Sequence, residues 1–307
     1  MIYLSICIPT KNRIEYIKKT IESIVNDGVD KSLYQIVISD NSDNDQTALF
    51  AAKLDSEGFN IKYFKNPRSG FYNSIQSLLL GDGELLKLHN DYSAFTDGGF
   101  AAMVDSAVKN IYTKEMLFFT NGELKSGVCE LDCSNLDSFV LNASYLITWS
   151  SSFSIWKDEL SKLKTESNEV DEMFPHTSLI LQMQCSKYKI IDNVLFKNLS
   201  VSKKGGYNIF YNFCILFLDM LKFSMIEKKI TEKTFKKVKK DLFFKFILVW
   251  YYRTIVDKSR SYTFDNTNAA LYIKQAYGVL GLVGVILVTR SKYTLMSILN
   301  IFRRTLS

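Results

Sequence analysis

The chain is poor in the residues that build fibrous, disulfide-stapled or zinc-organised proteins. It has 3 Pro and 14 Gly in 307 residues, which excludes collagen-like and Pro-rich extended architectures. Its five cysteines, Cys7, Cys129, Cys133, Cys185 and Cys214, are odd in number and scattered, and no CxxC occurs. Cys129 and Cys133 stand four apart without a matching second pair. A disulfide framework or a zinc site is therefore not expected, and a reducing compartment is. The phosphate-binding patterns GxGxxG and GxxxxGK[ST] are both missing, which leaves a dinucleotide site of the Rossmann type and a P-loop without support. No internal repeat is present. The opening MIYLSICIPTKNR lacks a basic segment before its apolar run and a small-residue cleavage site, so it reads as a first strand and not a signal peptide. The uncharged stretch between Lys274 and Arg290 is 15 residues long. As a helix it covers about 22 Å, short of the roughly 30 Å of a hydrocarbon core. It is expected to be a buried or interfacial helix, not a span.

What the chain does have is apolar and aromatic mass: 47% hydrophobic residues, with 22 Phe and 17 Tyr, ample for a folded core. Its net charge of +6 is unevenly distributed. From residue 203 onward there are 19 Lys and Arg against 6 Asp and Glu, whereas residues 1–202 hold 19 against 26. Two parts are expected, 1–202 and a basic, apolar, helical 203–307. The first suits a metal or nucleotide, the second an anionic surface. The Lys-rich helices interleave Phe at core spacing and carry no nucleic-acid motif, so nucleic acid is not expected as a partner.

In the first part, strand and helix signals alternate. Apolar or β-branched runs at 4–9, 35–39, 60–65, 85–89 and 116–120 read as strands. Helical periodicity covers 13–26, 46–56, 71–80 and 97–110. Further on, 145–156 reads as strand, turn and strand, 177–185 as a helix and 190–196 as a strand. Repeated strand–helix–strand units make an α/β fold with a mostly parallel sheet flanked by helices. Ligands of such sheets bind beyond the carboxyl ends of the strands. Those ends are polar and ionisable here: Pro9-Thr10-Lys11-Asn12-Arg13, Asp40-Asn41-Ser42, Asn66-Pro67-Arg68 and His89-Asn90-Asp91.

Together these segments resemble a known family. Ser5–Arg13 is similar to the opening strand and loop of family 2 glycosyltransferases, and Ile36–Ser42 to their second strand, which ends in Asp and a small polar residue. Asn66, Gly70 and Asn73, then Gly81 and Glu84, fall where that family has its third loop and the approach to its fourth strand. His89-Asn90-Asp91 falls at the metal-binding carboxylate motif. The resemblance runs in order over about residues 3–200. With SKKGGYNIF and the Lys-rich helices, it looks closest to the abequosyltransferase-like branch of bacterial surface-polysaccharide enzymes. It implies the GT-A fold, a sugar-nucleotide donor (by preference a UDP-sugar) and inverting transfer to a hydroxyl. The implied acceptor is a lipid-linked or oligosaccharide glycan of O-antigen or capsule synthesis. The implied location is the cytoplasm, peripheral on the inner face of the cytoplasmic membrane.

The resemblance also implies roles. Pro9, Thr10, Asn12 and Arg13 would line the nucleotide, and Asp40 would accept the N3–H of uracil. Arg68, with Asn73, Asn90 and Asp91, would face the donor and its diphosphate. Asp91 would ligate Mn²⁺ or Mg²⁺ against the charge growing on the leaving group, with His176 as a further ligand. In Glu169–His176, Glu172 or Asp171 would be the general base, Glu172 being nearer the following helix. Trp149 and Ser151 would line the acceptor side. One departure stands out: His89-Asn90-Asp91-Tyr92 keeps a single carboxylate where the family usually has two or three. That motivates a second reading, a non-catalytic sugar-nucleotide or glycan-binding subunit of an assembly complex.

Overall fold

The structure, a computed structural model, describes residues 1–125, 127–201, 205–257, 259 and 261–305, with side chains through residue 294. The chain separates into two compact units, Met1–Ser200 and Val201–Ser307.

The first unit is built on a five-stranded sheet. Strands β1 (Leu4–Thr10), β2 (Tyr34–Asp40), β3 (Ile61–Lys65) and β4 (Leu85–Leu88) run parallel in the order β3-β2-β1-β4. β1 and β2 are buried almost throughout, as expected for central strands covered on both faces. Helix α1 (Ile14–Val25) follows β1 and turns Ile17, Ile21 and Ile24 onto Ile6, Ile8, Ile36 and Ile38. Each such side chain contributes roughly 1.5–3 kcal/mol by leaving water. Helices α2 (Gln46–Ser56) and α3 (Asn73–Leu79) make the next two crossovers. Gly83 enters β4 so close to β1 that a Cβ there would lie 2.6 Å from the Ser5 nitrogen.

After β4 the chain forms β5 (Ser93–Phe95), α4 (Gly99–Lys109), β6 (Met116–Phe119), β7 (Glu130–Cys133) and α5 (Leu136–Ala143). Then come β8 (Ser154–Trp156), α6 (Lys157–Leu160), α7 (Pro175–Gln182), β9 (Tyr188–Ile191) and β10 (Phe196–Asn198). β8 completes the main sheet, antiparallel to β4. β6, β9 and β7 form a second sheet, and β5 pairs with β10.

Two expectations fail locally. Residues 145–156 contain one strand, β8, preceded by 3-10 turns at Ser144–Thr148 and Ser150–Ser152. Leu146, Ile147 and Thr148 are buried in succession, which a turn of helix achieves and an alternating strand does not. The run 190–196 is split between β9 and β10. Between them the Asp192 carboxylate accepts hydrogen bonds from the Thr120 hydroxyl and the Leu124 and Lys125 amides, turning the chain from one sheet to another.

In the second unit, Gly205–Asn208 pairs in parallel with Thr263–Asp265. Ile209–Ile226 is helical. Glu232–Leu242 buries Thr234, Val238 and Leu242 and leaves its lysines outside. The helical path continues through wider turns to Val256. The last helix, Ala269–Thr305, is 37 residues long and broken at Gly278, whose φ is +73°. Of the two expectations for this segment, the buried one is corrected: the helix runs on past Arg290 and Lys292 and is mostly exposed. Ile209–Ile226 and Ala269–Thr294 are both long and apolar enough to cross a membrane by length and composition. Ser202–Lys204 of the SKKGGYNIF motif, and the side chains of Arg303 and Arg304, lie outside the described residues.

Candidate functional site

The carboxyl ends of β1 to β4 meet at one edge of the main sheet, and Asp91 is the centre of the polar cluster there. It is 2% exposed. The Thr10 hydroxyl at the end of β1 donates to its Oδ2 at 2.8 Å, and Arg13 Nη1 donates to its Oδ1 at 3.1 Å. Thr20 on α1 donates to its main-chain carbonyl at 3.0 Å. Burial raises the carboxyl pKa, and the Arg13 charge and the Thr10 hydroxyl oppose that rise. The Arg13 guanidinium also lies 5.5 Å from the Tyr92 ring.

Asn12 makes the sharp exit from β1 with φ +54°, in the left-handed region that Asn tolerates. Its amide donates to Ser42 Oγ, and its side chain exchanges two hydrogen bonds with Asp43. Pro9 stands opposite Ser39 in the register of β1 and β2. Asp40 closes β2 with a fully buried carboxylate: the Ser42 amide donates to Oδ1 at 2.8 Å, and Tyr63 Oη to Oδ2 at 3.0 Å. Burial, reinforced by Asp40, pushes the Tyr63 phenol upward. Asn73 is buried and shares hydrogen bonds with Ser39 and Asn66. Arg68 is exposed. Its amide donates to Asn66 Oδ1, its carbonyl accepts from Asn41, and its guanidinium lies 4.7 Å from the Tyr72 ring.

A second set of residues lies on the Ser150–Ser152 turn and α7. The Ser150 hydroxyl donates to Asn90 Oδ1 at 3.3 Å, linking this turn to the end of β4. Lys87, fully buried in β4, donates to the carbonyls of Leu88 and Ser151. Trp149 is half-buried beside them. Asp171 Oδ1 accepts from the Met173 and Phe174 amides, both at 2.8 Å, and so shapes the entry to α7. Glu172 is exposed, and no hydrogen-bond or ion-pair partner is seen for it among the described residues. His176 is buried and bonds to the Thr148 main chain, while its Nε2 has no partner; burial pushes its pKa down to about 4. No hydrogen bond or ion pair joins Asp171, Glu172 or His176 to Asp91, Arg13 or Asp40 among the described residues.

The cluster thus unites Thr10, Arg13 and Asp91 directly, while the neighbouring Asn90 is tied through Ser150 to the Ser150–Ser152 turn. Asp40, Asn12, Asn73 and Arg68 are joined through Ser42, Asn41 and Asn66. Sequence reasoning missed Lys87, Thr20 and Tyr63. Only Lys87 carried a signal, a lysine within an otherwise apolar strand.

The fit of a divalent cation can be judged from the ligand set. Hard cations need several oxygen ligands. Both Asp91 oxygens already hold donors, one of them a guanidinium, and the Asn90 oxygen holds Ser150. Among the described residues no three His, Cys, Asp or Glu side chains gather as a metal site. The arrangement does not fit a preformed divalent-ion site.

Comparison with known proteins bears on the fold and on the first three strands. Residues 5–79 match the sequence profile described as Glycosyl transferase family 2, covering β1 to α3. No curated protein sequence gives a significant match. Among solved structures, S. aureus TarS 1–349 in complex with UDP-GlcNAc is similar at 13% identity and TM-score 0.61, over 90% of this chain and 82% of that one. The same protein with UDP aligns at 12% identity and TM-score 0.59, over 93% and 81%. The mannosyltransferase PcManGT of Pyrobaculum calidifontis, in complex with GDP-Man and Mn²⁺, aligns at 12% identity and TM-score 0.51, over 96% and 84%. Residues 5–79 thus match the family 2 glycosyltransferase profile, and the chain has a GT-A fold.

Proposed function

We propose that the protein is an inverting glycosyltransferase that uses a nucleotide-diphosphate sugar. The observation carrying this reading is the Thr10–Asp91–Arg13 junction, which joins the ends of β1 and β4 at the edge where parallel α/β sheets bind ligands. In the reaction an acceptor hydroxyl oxygen attacks the anomeric carbon from the face opposite the nucleotide. The bond from that carbon to the diphosphate oxygen breaks, and its electron pair leaves with the phosphate. The hydroxyl proton passes to a carboxylate. Glu172 is the better base, because Asp171 already has an oxygen committed to two amides at the entry to α7, while Glu172 is exposed.

The donor is proposed to be a UDP-sugar, in keeping with the TarS complexes. In this proposal Asp40 reads uracil through a further lone pair of the carboxylate that also accepts from Tyr63 and the Ser42 amide. The acceptor is proposed to be a lipid-linked glycan of O-antigen or capsule synthesis, met at the inner membrane surface. Exposed Val279, Leu280, Val283, Leu287 and Val288, followed by Arg290 and Lys292, suit an anionic lipid surface.

A thermal-shift panel of UDP-, GDP- and dTDP-sugars, followed by transfer assays to a lipid-linked primer, tests the reading. Binding to the native state raises apparent stability by mass action. Glu172→Gln is expected to keep the shift and lose transfer. If no nucleotide sugar shifts the melting temperature, the proposal fails. Binding without transfer or donor hydrolysis under any condition would return the protein to the non-catalytic alternative.

A further inference from the structure

Breaking the glycosidic bond leaves a diphosphate whose negative charge must be offset. The ligand set at Asp91 does not fit a divalent cation, yet a cation is already present: the Arg13 guanidinium, 3.1 Å from Asp91 Oδ1. Its side chain is 39% exposed, so the residue is held at Asp91 and still open to solvent. Only Nη1 is engaged; among the described residues the other guanidinium N–H groups meet no protein acceptor. Arginine keeps its charge, and its planar fork matches two phosphate oxygens at once. The Tyr92 ring limits its swing. Asp91 meanwhile is oriented by Thr10 and Thr20, so the carboxylate is itself held as an anchor. A divalent ion approaching Asp91 would meet a like charge at contact distance and would have to displace it.

We propose that Arg13, held by Asp91, takes the place of a divalent cation against the donor diphosphate, so that nucleotide binding at this site is independent of metal. Asp91 is then a positioning residue for the guanidinium and not a metal ligand. This inference rests on the donor-site reading above.

Calorimetric titration of the full chain with UDP and with GDP, in EDTA and again with Mg²⁺ or Mn²⁺, provides the test. The expected result for whichever nucleotide binds is an affinity in EDTA equal, within error, to that with metal. Arg13→Gln should weaken binding in EDTA by about 10-fold or more, about 1.4 kcal/mol or more. Arg13→Lys, which keeps the charge without the fork, should fall between the two and serves where the Gln variant does not fold. Asp91→Asn should weaken binding in EDTA and with metal alike. Wild-type binding that appears only with metal overturns this inference and leaves the glycosyltransferase reading standing. Wild-type-like affinity of Arg13→Gln in EDTA also overturns it. Absence of binding in every condition removes the donor-site reading, and this inference with it.

Discussion

Lys87 is the residue most at odds with its surroundings. It is fully buried in β4, between Ile6 of β1 and Ser154 of β8, and no carboxylate pairs with it among the described residues. Its ammonium is met by two main-chain carbonyls and, 5.5 Å away, the Phe119 ring. Burial pushes its pKa down to about 7, with Cys7 acting in the opposite direction. The unfolded chain keeps its lysine protonated to about 10.4. Between those values the unfolded state binds a proton that the folded state does not, so Lys87 makes stability rise with pH through that window. Below pH 7 both states are protonated and the burial cost is present in full. Replacing Lys87 by Met should therefore give a variant whose stability relative to wild type is greatest below neutrality. That advantage should decline as pH increases, at up to about 1.4 kcal/mol per unit. Denaturant unfolding of both proteins from pH 6 to 10 measures the difference; a constant gap would refute the assignment.

At the scale of elements, the close approach of β4 to β1 depends on Gly83. A methyl group there would lie 2.6 Å from the Ser5 nitrogen and 2.8 Å from the Leu4 carbonyl carbon, neither of which moves without shifting the central strand. Gly83→Ala should destabilise the fold by about 1–3 kcal/mol. A melting temperature equal to that of wild type would show that the strand entry is looser than described. This part of the fold was largely legible beforehand. The Ile spacing of α1 and the short β-branched runs of β1 and β2 are local patterns, and the expected range 46–56 coincides with α2. The polar strand ends were readable for the same reason: runs of polar and ionisable residues follow the apolar stretches directly in the sequence. The segments that were misread, or given no reading, depend on non-local partners. β7 has little apolar content and exists because β9 offers it an edge. The turns at 144–152 and the split at Asp192 are set by hydrogen bonds to distant residues. At the site, the engagement of both Asp91 oxygens by Thr10 and Arg13 could not be read from a linear motif, although the missing second carboxylate could.

For the whole molecule, the charge division at residue 203 gains structural content. The C-terminal unit exposes Phe223, Ile226, Phe244, Leu280 and Leu287 alongside its lysines. Apolar side chains left in water beside basic ones are the composition of a surface that partitions to anionic bilayers. The full chain should float with phosphatidylglycerol vesicles and bind phosphatidylcholine vesicles weakly. Leu280→Asp with Leu287→Asp should reduce the bound fraction about 10-fold or more. Equal flotation of the variant and wild type would remove this helix from the proposed membrane contact.

The lysine within β4 has an evolutionary corollary. Selection for folding alone should not preserve it, since an apolar chain of similar length fits the same space without desolvating an amine. Laboratory evolution for heat tolerance, run with no demand for sugar transfer, should repeatedly recover Met or Leu at codon 87. Parallel lineages that must also transfer sugar should retain lysine if its grip on the Ser151 carbonyl matters to turnover.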